Sequence, residues 1–195
     1  NETYVGPVLF EGEAVADIIE QLMVNESTVL LAKRKPVVSP DIKRYYSNHS
    51  STNGNELEAL LNKKEVSRDL TLTSLSGTPE YNGRRLFGYY PVDAQGVAPD
   101  KELVLIHDGV LKNMLTTRIP TKVFRKSNGH ARISIDGQGI FTLPGVLRLS
   151  SKETLSSQDL KKKLIDAAKE EDYDYAYIVR KLERNTAAEL YRINV

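Results

Sequence analysis

The sequence predicts an α+β fold, a largely antiparallel mixed sheet with about three helices. Three observations predict it. Short β-branched and aromatic runs recur along the chain, bounded by Gly, Pro, Asn and Asp. A few segments instead repeat their apolar residues at helical spacing. The two kinds of segment do not alternate regularly, as a parallel α/β fold would require.

The elements follow in order. Val5 to Phe10 reads as a strand, interrupted by Gly6-Pro7 and leading into a helix. In that helix Ala14, Val15, Ile18, Ile19, Leu22 and Met23 line one face, the pattern of a core-packing helix. Glu11, Glu13 and Asp17 lie near its start, where the macrodipole favours anions, and Asn25 can stop it. Thr28 to Ala32 reads as a strand, and Lys33-Arg34-Lys35 as a solvated basic run. Residues 35–55 are polar and turn-rich, a loop or excursion. Glu56 to Leu61 reads as a short helix, and Leu70 to Ser74 as a strand. Turns follow at Ser76 to Pro79 and Asn82-Gly83, then strands at Leu86 to Pro91 and Leu103 to His107. Asp108-Gly109 between apolar runs predicts a hairpin, because a type I′ turn needs φ > 0 at both central residues.

Ser127-Asn128-Gly129 is a further turn, and Arg132 to Leu149 is strand-like, punctuated by Asp136-Gly137, Gly139 and Pro144-Gly145. Ser156 with Asp159 is a variant capping box. The helix behind it carries Leu160, Leu164, Ile165 and Ala168 inward and Lys161-Lys162-Lys163 mostly outward. Tyr173, Tyr175 and Tyr177 alternate into a strand through Leu182, Arg184-Asn185 turns the chain, and Glu189 to Val195 returns.

Composition bounds the function. The 195 residues carry 27 basic and 26 acidic side chains, a formal charge of +1, which argues against a dedicated nucleic-acid partner. No apolar run approaches the roughly 20 residues of a membrane span. The absence of cysteine excludes disulfides, cysteine nucleophiles and Cys-type zinc sites within these residues. The chain opens without Met and stops while a strand pattern is running; the expectation is that residues 1–195 form a domain fragment of a longer protein. Its compartment is not written in these residues.

Chemistry-bearing residues are few. His49, His107 and His130 include no i, i+4 pair of the kind a helical zinc site needs. The densest polar group is Ser127, Asn128, Gly129, His130 and Arg132. Backbone N–H groups beside His and Arg can bind a carboxylate or a peptide backbone; the alternative is an ordinary surface turn. No nucleophile elbow, Walker loop or G-x-G-x-x-G is present. The carboxylate pairs Glu11/Glu13 and Glu170/Glu171 do not face each other on a helix.

Several segments resemble the TldD/PmbA family, the metalloprotease-related proteins also called modulators of DNA gyrase. They are Gly6 to Val15, Tyr90 to Val97 with its D-x-x-G turn, Leu105 to Arg118, Ser127 to Arg132 and Tyr177 to Leu182, in family order. The resemblance implies a shared fold and a place in peptide processing. In active members it implies H-E-x-x-x-H, with a downstream cysteine as third zinc ligand. Here the first His falls at Phe10, the Glu at Glu11 and the last His at Val15. A phenyl ring and an isopropyl group donate no electron pair to a metal.

The resemblance is therefore to the PmbA/TldE-like subclass without the zinc motif. It implies no cofactor, with zinc expected only in active members. It implies a peptide or unfolded polypeptide as partner, and a homo- or hetero-oligomer with a TldD-like subunit. Glu11 is the retained motif residue, and Ser127 to Arg132 the candidate substrate-binding group. Two alternatives stand beside this: a metallopeptidase whose ligands lie outside the fragment, and a non-enzymatic structural or surface-binding module. The gyrase name suggests DNA, and the near-neutral charge gives that no support.

Overall fold

The computed structural model describes residues 4–24, 58–121, 123–133, 139–182 and 188–194, the last segment by its backbone. In chain order the elements are β1 (Val8–Phe10), α1 (Glu13–Met23), β2 (Leu70–Ser74), β3 (Glu80–Tyr81), β4 (Arg84–Arg85), β5 (Leu103–His107) and β6 (Val110–Leu111). There follow β7 (Ala131–Ile133), β8 (Ile140–Thr142), β9 (Leu147–Ser151), α2 (Ser157–Glu170), β10 (Tyr175–Leu182) and β11 (Ala188–Asn194). The fold is α+β; among the described residues one strand pair is parallel and the rest are antiparallel. The chain forms two compact units, Asn1–Met23 with Glu153–Val195, and Val24–Lys152.

The unit built from both ends holds a three-stranded sheet in the order β1-β10-β11. β1 runs parallel to β10, with Val8 opposite Tyr177 and Phe10 opposite Val179. β11 is antiparallel, and its register shifts between Val179 and Lys181. Leu164 and Ala168 of α2 bury against Ala176 and Ile178, with Leu9 and Tyr173 around them. Each large apolar side chain so buried contributes about 1.5–3 kcal/mol. The predicted cap is present: Ser156 Oγ accepts from Asp159 N at 3.1 Å and donates to the Asp159 carboxylate at 2.6 Å. The stripe on α1 is less enclosed than its pattern predicts. Among the described residues only Ala14 is fully buried, while Val15 and Leu22 are 37% and 61% exposed.

The second unit is organised by an antiparallel sheet in the order β6-β5-β2-β9. Leu72, Leu75, Leu105, Ile106, Leu111, Met114 and Leu115 form its buried apolar centre. The predicted hairpin turn has Asp108 at φ 50° and Gly109 at φ 74°, so the sequence signal and the backbone agree. Asn82-Gly83 does the same between β3 and β4, with φ of 50° and 73°.

The structure corrects two elements. Leu86 to Pro91 is not a strand but a turn, closed by Tyr89 N donating to Leu86 O at 3.1 Å. A Cβ on Gly88 would lie 1.8 Å from Gly145 O; the two backbones cross there, and Phe87 is left fully exposed. The count of helices is two among the described residues, not about three. Of the expected helix at Glu56 to Leu61, Glu58 is helical and the chain then turns. The expected strand at Thr28 to Ala32, the Lys33 to Lys35 run, most of the 35–55 excursion with His49, and the Arg184-Asn185 turn lie outside the described residues. No described helix is long and apolar enough to cross a membrane.

Candidate functional site

The Ser127 to Arg132 turn is built on side chain–backbone hydrogen bonds. Asn128 Oδ1 accepts from Thr116 N at 2.7 Å, and Asn128 Nδ2 donates to Met114 O at 2.8 Å. Asn128 N donates to Thr116 Oγ1 at 2.9 Å, and Ser127 Oγ accepts from Gly129 N at 3.1 Å. The turn is thereby laced to the segment after β6. Gly129 has φ 77°, and a Cβ there would stand 2.6 Å from Pro99 N. The position demands glycine twice, for the left-handed backbone and for the close approach.

His130 is fully buried. Its Nδ1 is 2.9 Å from Asn128 O and its Nε2 is 2.9 Å from Ser74 Oγ. A carbonyl can only accept, so Nδ1 carries the proton and donates. Nε2 then accepts from the Ser74 hydroxyl. Ser74 Oγ lies 2.9 Å from Ser76 Oγ, which accepts from Gly145 N at 2.9 Å. The chain of bonds therefore has one direction: Gly145 N–H to Ser76, Ser76 to Ser74, Ser74 to His130, His130 to Asn128. Burial lowers the imidazole to a pKa of about 4, with the backbone bond to Asn128 opposing. At neutral pH the ring is uncharged and both nitrogens are engaged.

Asp93 braces the same corner. Its Oδ1 accepts from Gln95 N and Val97 N at 2.8 and 2.9 Å, and its Oδ2 from Ala131 N at 3.0 Å. A buried carboxylate is tolerable when backbone donors satisfy it in this way. Tyr90 donates its hydroxyl to Gly129 O at 3.0 Å. Over the Tyr90 ring stands Arg132, its guanidinium carbon 4.3 Å from the centroid. Among the described residues Arg132 has no carboxylate partner. The five sequence-selected residues are thus brought together but divided in role. Ser127, Asn128, Gly129 and His130 bond to the protein itself, and Arg132 keeps a charge available.

Ser74, Ser76, Tyr90 and Asp93 were not singled out by sequence reasoning. For Asp93 the signal was present in the D-x-x-G turn, where an Asp bonds the backbone two and four residues on. For Ser74 the only hint is the alternation of β2, and Ser76 reads simply as part of the turn that follows.

Glu11 lies in the other unit. Its backbone N donates to Val179 O at 2.9 Å, and its carboxylate pairs with the Arg180 guanidinium. Phe10 is the last residue of β1, Gly12 has φ 62°, and α1 begins only at Glu13. Phe10 and Val15 therefore do not share a helix face. Neither can ligate a metal, the chain has no cysteine, and the described residues hold no group of three His, Asp or Glu placed for an ion. The residues described do not fit a zinc centre.

The family described as PmbA/TldA metallopeptidase C-terminal domain matches residues 3–167. No curated protein matches the chain. Among solved structures, TldE from Thermococcus kodakarensis is similar with TM-score 0.58 and 16% identity, over 92% of this chain and 33% of that one. A candidate modulator of a DNA gyrase from Thermotoga maritima is similar with TM-score 0.60 and 19% identity, over 97% of this chain and 38% of that one. At these identities the likeness is one of fold. The chain spans a third or somewhat more of the length of these relatives.

Proposed function

The chain belongs to the TldD/PmbA family, as its metallopeptidase C-terminal domain, and from that premise we propose that it is a metal-free peptide-binding or partner subunit in peptide processing. One observation carries the reading. The positions to which the resemblance assigns the motif's histidines hold Phe10 and Val15, one ending a strand and one inside a helix, and the given residues include no cysteine. Glu11, the motif residue by that same resemblance, is paired with Arg180.

Peptide capture needs backbone edges and a few charged anchors rather than a metal. The two-stranded sheet of β7 and β8 offers both, because β8 pairs only with β7 among the described residues. An extended peptide can add to the outer edge of β8, with Arg132 on the adjacent strand as a charged contact. The expected partner is a TldD-like subunit that supplies the hydrolytic chemistry. Glu11 can contribute to partner contact through the ion pair it shares with Arg180.

The test is binding in the presence of chelator. Fluorescein-labelled extended peptides titrated with the 195-residue chain should bind equally with and without EDTA, and metal analysis should find zinc far below one per chain. Stoichiometric zinc with chelator-sensitive binding would overturn the proposal in favour of a metallopeptidase reading.

A further inference from the structure

Resting on the peptide-binding reading, we infer that Arg132 with Phe141 forms a receptor for a peptide's C-terminal carboxylate, selecting chains that end in an apolar residue. Arg132 on β7 stands directly opposite Phe141 on β8. Directly opposed side chains leave the same face of the sheet, with Cβ atoms about 4.5–5.5 Å apart. Leu143, two residues beyond Phe141, extends that face by strand alternation. Phe141 and Leu143 are 41% and 37% exposed. The face therefore sets a guanidinium beside uncovered apolar surface.

The guanidinium is held in place. Its carbon sits 4.3 Å from the Tyr90 ring centroid, and that ring is anchored through its hydroxyl to Gly129 O at 3.0 Å. A cation–π contact uses up no acceptor oxygen, and the guanidinium's N–H donors can still pair with a planar oxyanion. The acid at this corner, Asp93, is engaged with the backbone of Gln95, Val97 and Ala131 and forms no salt bridge with Arg132. Among the described residues no carboxylate forms a salt bridge with Arg132, so its N–H groups can take an anion.

The spacing favours a chain terminus over an acidic side chain. A C-terminal residue carries its carboxylate and its own side chain on one Cα, which matches the side-by-side placement of Arg132 and Phe141. Along an extended peptide, an internal Asp or Glu directs its carboxylate to one face while its immediate neighbours point to the other. The same tight pairing of acid and apolar group is then lost.

The test uses short N-terminally fluorescein-labelled peptides ending in leucine, as free acid and as amide, titrated with the 195-residue chain. The free acid should bind about tenfold more tightly, the range for a hydrogen bond to a charged group. Arg132→Gln should abolish that difference and leave the urea midpoint unchanged. A wild-type ratio near one, or a ratio that survives in Arg132→Gln, overturns the inference while peptide binding itself stands. Full rescue of the amide peptide by an internal Asp also overturns it, in favour of an acidic side chain. Binding of neither peptide removes this inference together with the reading on which it rests. Phe141→Ser provides a second readout that leaves Arg132 in place. It should erase the preference for terminal leucine over terminal glycine, and a preserved preference counts against the receptor.

Discussion

Two regions handle imidazole in opposite ways. At Phe10 to Val15, where active relatives are expected to place metal-binding histidines, the chain has a phenyl ring and an isopropyl group across a strand–helix junction. At His130 it has an imidazole sealed from solvent, with both nitrogens bonded to protein. The first region holds, at the positions the resemblance assigns, two side chains that cannot ligate a metal. The second keeps a histidine only as a structural connector. The difference teaches that residue type alone does not mark a site; what matters is whether the donor atoms are already spent. By that criterion Arg132, two residues beyond His130, is the side chain of this turn proposed to meet a partner.

The strongest way to break the comparison is through the backbone of the turn. Gly129→Ala should lower stability by about 3–4 kcal/mol, read from the urea midpoint. The new Cβ would meet the backbone of Pro99, which cannot swing aside as a flexible side chain can. An unchanged midpoint would mean the turn is not fixed as described.

His130→Leu should cost about 2–3 kcal/mol, because it strands the Ser74 hydroxyl and opens the relay in a buried place. It should also change the pH dependence. The folded pKa of about 4 lies below the usual histidine value, so the unfolded chain binds the proton more readily. Stability from this group is full above about pH 6.5 and falls as pH drops toward 4. Urea midpoints across that window should flatten in His130→Leu relative to wild type. Parallel slopes would show that the imidazole is not held neutral.

Smaller effects sharpen the contrast from the other unit. Ser156→Ala should cost about 1 kcal/mol by removing the α2 cap, seen as a lower thermal midpoint. Glu11→Gln should change stability by less than about 1 kcal/mol, since its pair with Arg180 is partly solvated. It should also leave metal content unaltered. A large loss of either would return Glu11 to a central role.

Much of the fold was legible because its signals are local. The Ser156–Asp159 cap, the alternating tyrosines of β10 and the Asp108-Gly109 turn each depend on residues a few positions apart. Leu86 to Pro91 misleads for the converse reason. Its aromatic composition suits a strand, but Gly88 is committed to crossing Gly145, a contact 57 residues away that no local pattern announces. The candidate turn was visible as a dense polar group, yet its division was not. Whether His130 is spent depends on Ser74, separated from it by 56 residues. Only the folded chain shows that Arg132 rests on Tyr90 and, among the described residues, forms no salt bridge.

The parallel pairing of β1 with β10 has a consequence for how the protein is made. Glu11 and Arg180 close a span of 169 residues, so the first strand leaves the ribosome long before its neighbour exists. At about 5–20 residues per second, that wait is of order ten seconds or more. The intervening unit, which carries its own apolar centre, is fully synthesised within that interval. Nascent chains halted before Tyr175 should therefore present β1 and α1 without their docking strand, as natural targets for a chaperone.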